Sequence, residues 1–121
     1  MTPTIDEYLA AARSRFQRVQ PEDLEAALGG GALLVDIRPE RNRAEEGELP
    51  GAIVFDRGVL EWGLAPSSDA RIVDVEPGCQ VILVCNDGYQ SSLAAATLID
   101  LGVEGATDLD GGFRAWSTRT P

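Results

Sequence analysis

The chain has 121 residues, 44% of them hydrophobic and 25% charged, with 20 Asp and Glu against 10 Lys and Arg, no His and a formal net charge of −10. This length supports one domain with its own core, independent of disulfides or structural metal. The acidic balance argues against nucleic acid and anionic membrane surfaces as partners, because both are bound through excess positive charge. The first residues, Met1 to Tyr8, carry Asp6 and Glu7 where a signal peptide needs bases, and no run approaches the roughly 18 apolar residues of a membrane span. A cytoplasmic protein is therefore expected.

Thr4 opens a predicted helix with Asp6 and Glu7 in its first turn and Arg13, Arg15 and Arg18 toward its end, an arrangement that suits the helix dipole. Ile5, Leu9, Ala12 and Phe16 form its apolar stripe. The segment 1–20 is thus a helix that covers either an edge of the domain or a partner, and 21–121 is the domain proper. Pro21 stands at the first position of a second helix, to Leu28, which Gly29-Gly30-Gly31 ends. Ala32 to Ile37 reads as a strand with Asp36 at its carboxyl end. The charged stretch from Arg38 to Glu48 reads as a loop with one helical turn. Pro50-Gly51 turns into a short strand, Ala52 to Phe55. Arg57 to Pro77 reads as a short helix followed by loop, because Gly63, Pro66 and Ser67-Ser68-Asp69 interrupt its apolar residues.

The run Val81 to Val84 is apolar throughout, as in a parallel strand covered on both faces. Cys85 follows at its carboxyl end. Asn86-Asp87-Gly88 is a turn signal, and Gly88 supplies backbone freedom there. Ser91 or Ser92 can cap the next helix, whose apolar positions Leu93, Thr97, Leu98 and Leu101 recur at helical spacing and which ends near Gly102. Ala106 to Leu109 is a last short strand, and Phe113 to Trp116 begins a terminal helix after Gly111-Gly112. Strands alternating with helices imply an α/β fold, a three-layer α/β/α sandwich with a central, mainly parallel sheet of about five strands.

A thiol between a buried strand and a helix start is placed to react. Open α/β sheets put their sites at the carboxyl ends of strands. The N–H groups of a tight loop and the helix dipole together favour an anionic sulfur. The other cysteine, Cys79, lies at the far end of the same predicted strand, roughly 20 Å away at about 3.3 Å per residue and beyond the about 7 Å limit for a disulfide. It is read as incidental. With no His and two separated cysteines, zinc has no ligand set.

Four segments in order resemble the rhodanese-like sulfurtransferase family. They are Leu34-Val35-Asp36-Ile37-Arg38, Gly47-Glu48-Leu49-Pro50-Gly51-Ala52-Ile53, Val84-Cys85-Asn86-Asp87-Gly88-Tyr89-Gln90-Ser91-Ser92, and Leu109-Asp110-Gly111-Gly112-Phe113-Arg114-Ala115-Trp116. The resemblance implies a single rhodanese-like domain whose Cys85 accepts a sulfane sulfur as a persulfide and passes it to a thiol or cyanide, with no metal or organic cofactor. It implies a binding loop of Asn86, Asp87, Gly88, Tyr89, Gln90 and Ser91. It also assigns Asp36 and a following arginine, read as Arg43, to shaping the loop's neighbourhood, and Arg57 is a further candidate to reach it. An alternative is a non-catalytic rhodanese-like binding or persulfide-carrier module serving a protein partner, with the N-terminal helix as its docking element.

Two departures stand out. Glu48 stands where the family often has His. Gln90 stands where loops that favour thiosulfate commonly carry Arg, and Asp87 adds an acid. Weak use of thiosulfate is therefore expected, since a lost charge-assisted hydrogen bond costs about 1.5–3 kcal/mol. A cysteine-dependent phosphatase on the same architecture needs a loop one residue longer and an arginine six positions after the cysteine. That position holds Ser91.

Overall fold

A computed structural model describes residues 1–119. Four strands, β1 (Leu33–Asp36), β2 (Ile53–Val54), β3 (Val81–Val84) and β4 (Ala106–Asp108), form one sheet in the order β2-β1-β3-β4. All pairings are parallel, with Val35 opposite Leu83 and Leu83 opposite Asp108. The helices are α1 (Ile5–Arg13), α2 (Leu24–Gly29, entered through a 3-10 turn at Pro21–Asp23), α3 (Glu40–Glu46), α4 (Leu60–Leu64, entered through a 3-10 turn at Arg57–Val59), α5 (Gln90–Asp100) and α6 (Gly112–Ser117).

The strand period of two divides the core into two layers. Val81, Leu83 and Cys85 pack with Leu60 and Leu64 of α4 and Ala94, Ala95 and Leu98 of α5. Ile82 and Val84 pack on the opposite face with Leu24 of α2 and Phe113 of α6. Both faces of β3 are fully buried, which explains its unbroken apolar run. Cys85 continues the alternation, so its side chain falls on the α4/α5 side.

The sheet has four strands where the sequence pattern predicts about five. What remains of a fifth is a single parallel bridge from Val19 to Leu109 at the outer edge of β4. The Val19 N–H donates to the Asp108 carbonyl at 2.9 Å and the Asp110 N–H to the Val19 carbonyl at 2.8 Å. Pro21, two residues on, has no N–H to extend the ladder and opens the next helical turn instead. The loop expected after β1 folds into two turns of helix, α3, which buries none of its side chains.

Helix α1 starts as its sequence predicts, with a capping box between Thr4 and Glu7. It ends at Arg13, so Arg15 and Arg18 lie beyond it rather than in its last turn. Leu9 and Ala12 are buried, Phe16 packs against the α4/α5 core, and Ile5 is exposed. The stripe therefore seats the N-terminal segment on α5, and Arg15 ties it to Asp100 at 2.7 Å.

One ion pair is wholly buried. Asp36 at the end of β1 accepts from Arg38 Nε at 3.1 Å and from Nη2 at 2.8 Å, and both side chains are fully shielded from solvent. Arg38 also donates to the Gly47 carbonyl at 2.9 Å and lies 3.7 Å from the ring centroid of Phe113. The pair thus links β1, the α3 exit and α6. Removing one partner leaves the other charged and unpaired in the interior. Asp36→Ala is expected to lower unfolding free energy by about 3–5 kcal/mol, measured by urea denaturation; a loss below about 1 kcal/mol would show that the pair is not structurally required.

Candidate active site

Cys85 is 7% exposed, and its Sγ lies at the mouth of α5. It accepts from the Gly88 N–H at 3.2 Å and from the Ser91 N–H at 3.4 Å, with Ser91 Oγ 3.3 Å away. Ser91 N–H belongs to the first turn of α5, whose donors have no partner within the helix. Tyr89, at the cap position, makes no side-chain cap. The cysteine sulfur therefore serves the helix as its cap, and the positive end of the dipole faces that sulfur.

This corrects the sequence reading of Ser91 and Ser92 as caps. Both are buried inside α5 and turn their hydroxyls to Asp108 Oδ2, at 2.8 and 2.7 Å. The buried stripe of α5 accordingly runs through Ser91, Ala94, Ala95 and Leu98, while Leu101 is exposed.

Gly88 is where the loop needs glycine. Its φ is +85°, and a Cβ there would sit 2.9 Å from Gly111 N and 3.0 Å from Arg18 Nη2. Gly112 is packed as closely from the other side: a Cβ would lie 2.6 Å from the Cys85 and Asn86 carbonyl oxygens. Those carbonyls accept from the N–H groups of Phe113 (2.9 Å) and Arg114 (3.1 Å), so the start of α6 holds the outer rim of the loop.

Two arginines of the N-terminal segment hold the loop at Gly88. Arg13 Nη2 and Arg18 Nη2 both donate to the Gly88 carbonyl, at 2.7 and 2.8 Å. Arg13 Nε reaches Ser92 Oγ at 2.9 Å, and its guanidinium lies 5.6 Å from the Tyr89 ring centroid. Arg18 grips the fully buried Asp108 through Nε (2.8 Å) and Nη2 (3.0 Å), and Asp110 through Nη1 (2.9 Å). Burial opposes the Arg18 charge, but hydrogen bonding to Asp108 and attraction to Asp108 and Asp110 outweigh it and leave its pKa above the usual value. Sequence reasoning sees these arginines only as helix-dipole partners. The signal within reach is Asp108, an acid inside the predicted strand Ala106 to Leu109, because a carboxylate in a buried strand needs a cation.

A cavity of about 320 Å³ opens over the sulfur. Ile37 and Pro39 form one wall, Asn86, Asp87, Tyr89 and Gln90 another, and Arg57 is the cation at its edge. Arg57 Nη1 is held by both oxygens of Glu61, at 2.9 and 2.8 Å, while its Nη2 has no hydrogen-bond partner among the described residues. Asp87 is paired with Arg114 at 2.8 Å, so it does not face the cavity as an isolated charge. Arg43 bonds Glu48 at 3.2 Å and lines a neighbouring cavity, and Asp36 pairs with Arg38 rather than with Arg43. Of the candidates from sequence, Asn86, Asp87, Tyr89, Gln90 and Arg57 share the cavity with Cys85, Gly88 and Ser91 hold the sulfur, and Asp36 and Arg43 lie outside that cavity. A larger cavity, about 800 Å³ beside Trp62 and Leu101, does not include Cys85.

The rhodanese-like domain family matches residues 20–119 of this chain. The chain belongs to the rhodanese-like domain family. It is 35% identical over 109 residues to a thiosulfate sulfurtransferase GlpE of Pseudomonas fluorescens, covering 89% of this chain and 91% of that one. The corresponding Pseudomonas aeruginosa protein is 34% identical over 107 residues, 88% of each chain. Among solved structures, a Rhodopseudomonas palustris protein of unknown function, described as a "Possible Tyrosine Phosphatase", superposes with a TM-score of 0.81 at 30% identity, covering 97% of this chain and 91% of that one. A human single-domain sulfurtransferase superposes with a TM-score of 0.68 at 25% identity, covering 86% and 97%. Among the described residues no helix is long and apolar enough to cross a membrane.

In this rhodanese-like domain Arg114 also clamps Glu46 of α3, through Nε at 2.9 Å and Nη2 at 3.0 Å. Hydrogen bonds from Arg114 and Asn42 hold the Glu46 carboxyl down to about 2, against an ordinary 4.5. A carboxyl depressed in the folded state stabilises it fully above the unfolded value and loses that contribution as pH falls through the folded value. The stability difference between the native protein and Glu46→Gln is thus expected to be constant above about pH 5 and to vanish toward pH 2, read from denaturation midpoints. A difference independent of pH across that range would contradict the assignment.

Proposed function

We propose that this rhodanese-like domain is a sulfurtransferase in which Cys85 carries a sulfane sulfur as a persulfide between a small donor and a thiol or cyanide acceptor. The observation that carries the reading is the cysteine sulfur held by two backbone N–H groups at the head of α5, beneath an open cavity. The names of the relatives support the same class of chemistry.

With thiosulfate, the Cys85 thiolate attacks the outer sulfur; the Sγ–S bond forms, the donor S–S bond breaks, and sulfite leaves with the electron pair. Cyanide then attacks the outer sulfur of the persulfide, thiocyanate leaves, and the thiolate returns. This is double displacement through a covalent intermediate. The N–H groups of Gly88 and Ser91 and the α5 dipole meet the negative charge in the resting site. The Arg13 and Arg18 contacts to the Gly88 carbonyl keep that loop conformation from relaxing.

A tyrosine phosphatase reading, suggested by the name of one structural relative, lacks its clamp. Where a guanidinium would hold phosphoryl oxygens, Ser91 is buried and bonded to Asp108.

Cys85→Ser is expected to abolish thiocyanate formation from thiosulfate and cyanide while the fold is retained by circular dichroism; undiminished turnover in the variant would refute the role of Cys85. Arg57 is the cation left to receive the donor's charge, since Gln90 contributes none. Gln90→Arg is expected to raise kcat/KM for thiosulfate roughly ten- to a hundredfold, and Arg57→Gln to lower it by a similar factor. No change in either variant would mean that donor charge is not recognised here.

A further inference from the structure

Asp108 is a buried acid beside the site that the sulfur-transfer steps above do not use. It lies in β4 with no exposed surface and accepts four hydrogen bonds: on Oδ1 from Arg18 Nε at 2.8 Å, and on Oδ2 from Arg18 Nη2 at 3.0 Å, Ser91 Oγ at 2.8 Å and Ser92 Oγ at 2.7 Å. A guanidinium can only donate, so both oxygens of Asp108 act as acceptors. Each serine has a single hydroxyl hydrogen to place. Ser92 Oγ accepts from Arg13 Nε at 2.9 Å and points its own hydrogen at Asp108.

Ser91 does the same on the side of the sulfur. Its hydroxyl hydrogen lies toward Asp108, because a bond of 2.8 Å to a carboxylate outcompetes an approach of 3.3 Å to sulfur. An oxygen lone pair is left facing Cys85 Sγ, the arrangement that accepts from a thiol S–H. Ser91 therefore meets the sulfur with two opposed groups: its backbone N–H favours the anion, and its side-chain oxygen favours the thiol. Of the other titratable and charged groups near the loop, Asp87 pairs with Arg114, Asp110 with Arg18, Arg57 with Glu61 and Asp36 with Arg38, and Tyr89 faces the Arg13 guanidinium. Among the described residues none of these side chains bonds Sγ or Ser91 Oγ.

We propose, on the basis of the persulfide reading above, that Asp108 is a positioning residue for sulfur transfer: it turns the Ser91 hydroxyl away from Cys85, so that Ser91 Oγ accepts a hydrogen bond from the thiol and gives none to the thiolate. Ionisation of Cys85 then breaks that bond, and the resulting thiolate is met by two donors rather than three. A thiolate less stabilised by its site is the better nucleophile, since attack on a sulfur–sulfur bond slows as a thiol becomes more acidic. Asp108 thus lowers the fraction of Cys85 that is ready to react and raises the reactivity of each thiolate. The loading step keeps its balance: the thiolate attacks the outer sulfur of thiosulfate, the Sγ–S bond forms, and sulfite leaves with the electron pair.

The pH dependence of Cys85 alkylation by iodoacetamide tests this with no sulfur donor present, in a Cys79→Ser background so that one thiol is read. Ser91→Ala keeps the Asp108–Arg18 pair and is expected to move the midpoint of the profile down by about 0.5–1 pH unit, the effect of one ordinary hydrogen bond. Asp108→Asn releases the Ser91 hydroxyl to the sulfur and removes a negative charge, and is expected to move the midpoint down at least as far. In both variants sulfur loading from thiosulfate is expected to be faster than in the native protein below the midpoint and about two- to threefold slower on the high-pH plateau. Circular dichroism checks the fold, and if Asp108→Asn does not fold, Ser91→Ala decides. A midpoint that stays or rises in Ser91→Ala, as a hydroxyl donating to the thiolate would produce, overturns the proposal, and so does an unmoved midpoint in folded Asp108→Asn. Failure of the native protein to load sulfur sinks the persulfide reading alone, because the alkylation profile is read without it.

Discussion

The site depends on the conformation of one residue, Gly88. With φ at +85°, its N–H turns in to the Cys85 sulfur while its carbonyl turns out to Arg13 and Arg18. A side chain there would collide with Gly111 and with Arg18, so neither the arginines nor α6 could approach as they do. Hydrogen bonds from charged donors are the stronger class, and two of them on one carbonyl fix the loop from outside. The interior of the loop is left to present N–H groups to sulfur.

From that constraint the acidic character of the chain becomes intelligible. A net charge of −10 is a poor medium for a thiolate or a dianionic donor, yet the acids nearest the site are matched. Asp108 is held by Arg18, Asp87 by Arg114, and Asp36 by Arg38. These pairs do different things. The buried Asp36–Arg38 and Asp108–Arg18 pairs bind elements together, whereas the half-exposed Asp87–Arg114 pair mainly cancels a charge at the cavity rim. The cavity over Cys85 has Arg57 as its one basic lining residue among the described residues, and that guanidinium is itself bonded to Glu61.

Much of the site is legible in the chain. Val81 to Val84 reads as a strand buried on both faces, and the succession of cysteine, turn, glycine and helix after it can be read locally because each signal lies within a few residues of the next. The four motifs that resemble the rhodanese-like family are likewise local strings. The remainder is held by contacts across long separations. Arg13 and Arg18 meet Gly88 and Asp108 over 70 to 90 positions, and no periodicity encodes that meeting. Sequence reasoning assigns Arg43 to the neighbourhood of Asp36, whereas the path of the chain into α3 turns the Arg38 guanidinium back to it. Ser91 and Ser92 resemble caps because serine commonly caps, but the sulfur takes that role and frees both hydroxyls for Asp108. The sequence names four strand segments and an estimate of about five, and the structure has four, with Val19 adding one bridge beside β4 before Pro21 ends the ladder.

The central claim is that Cys85, held by the Gly88 and Ser91 N–H groups, carries sulfur covalently. Intact-protein and peptide mass spectrometry after incubation with thiosulfate tests it most directly. The predicted result is a gain of one sulfur atom that cyanide removes and that fragmentation of the peptide carrying both cysteines places on Cys85 and not on Cys79. An unmodified Cys85 after exposure to thiosulfate, mercaptopyruvate and a low-molecular-weight persulfide would contradict it.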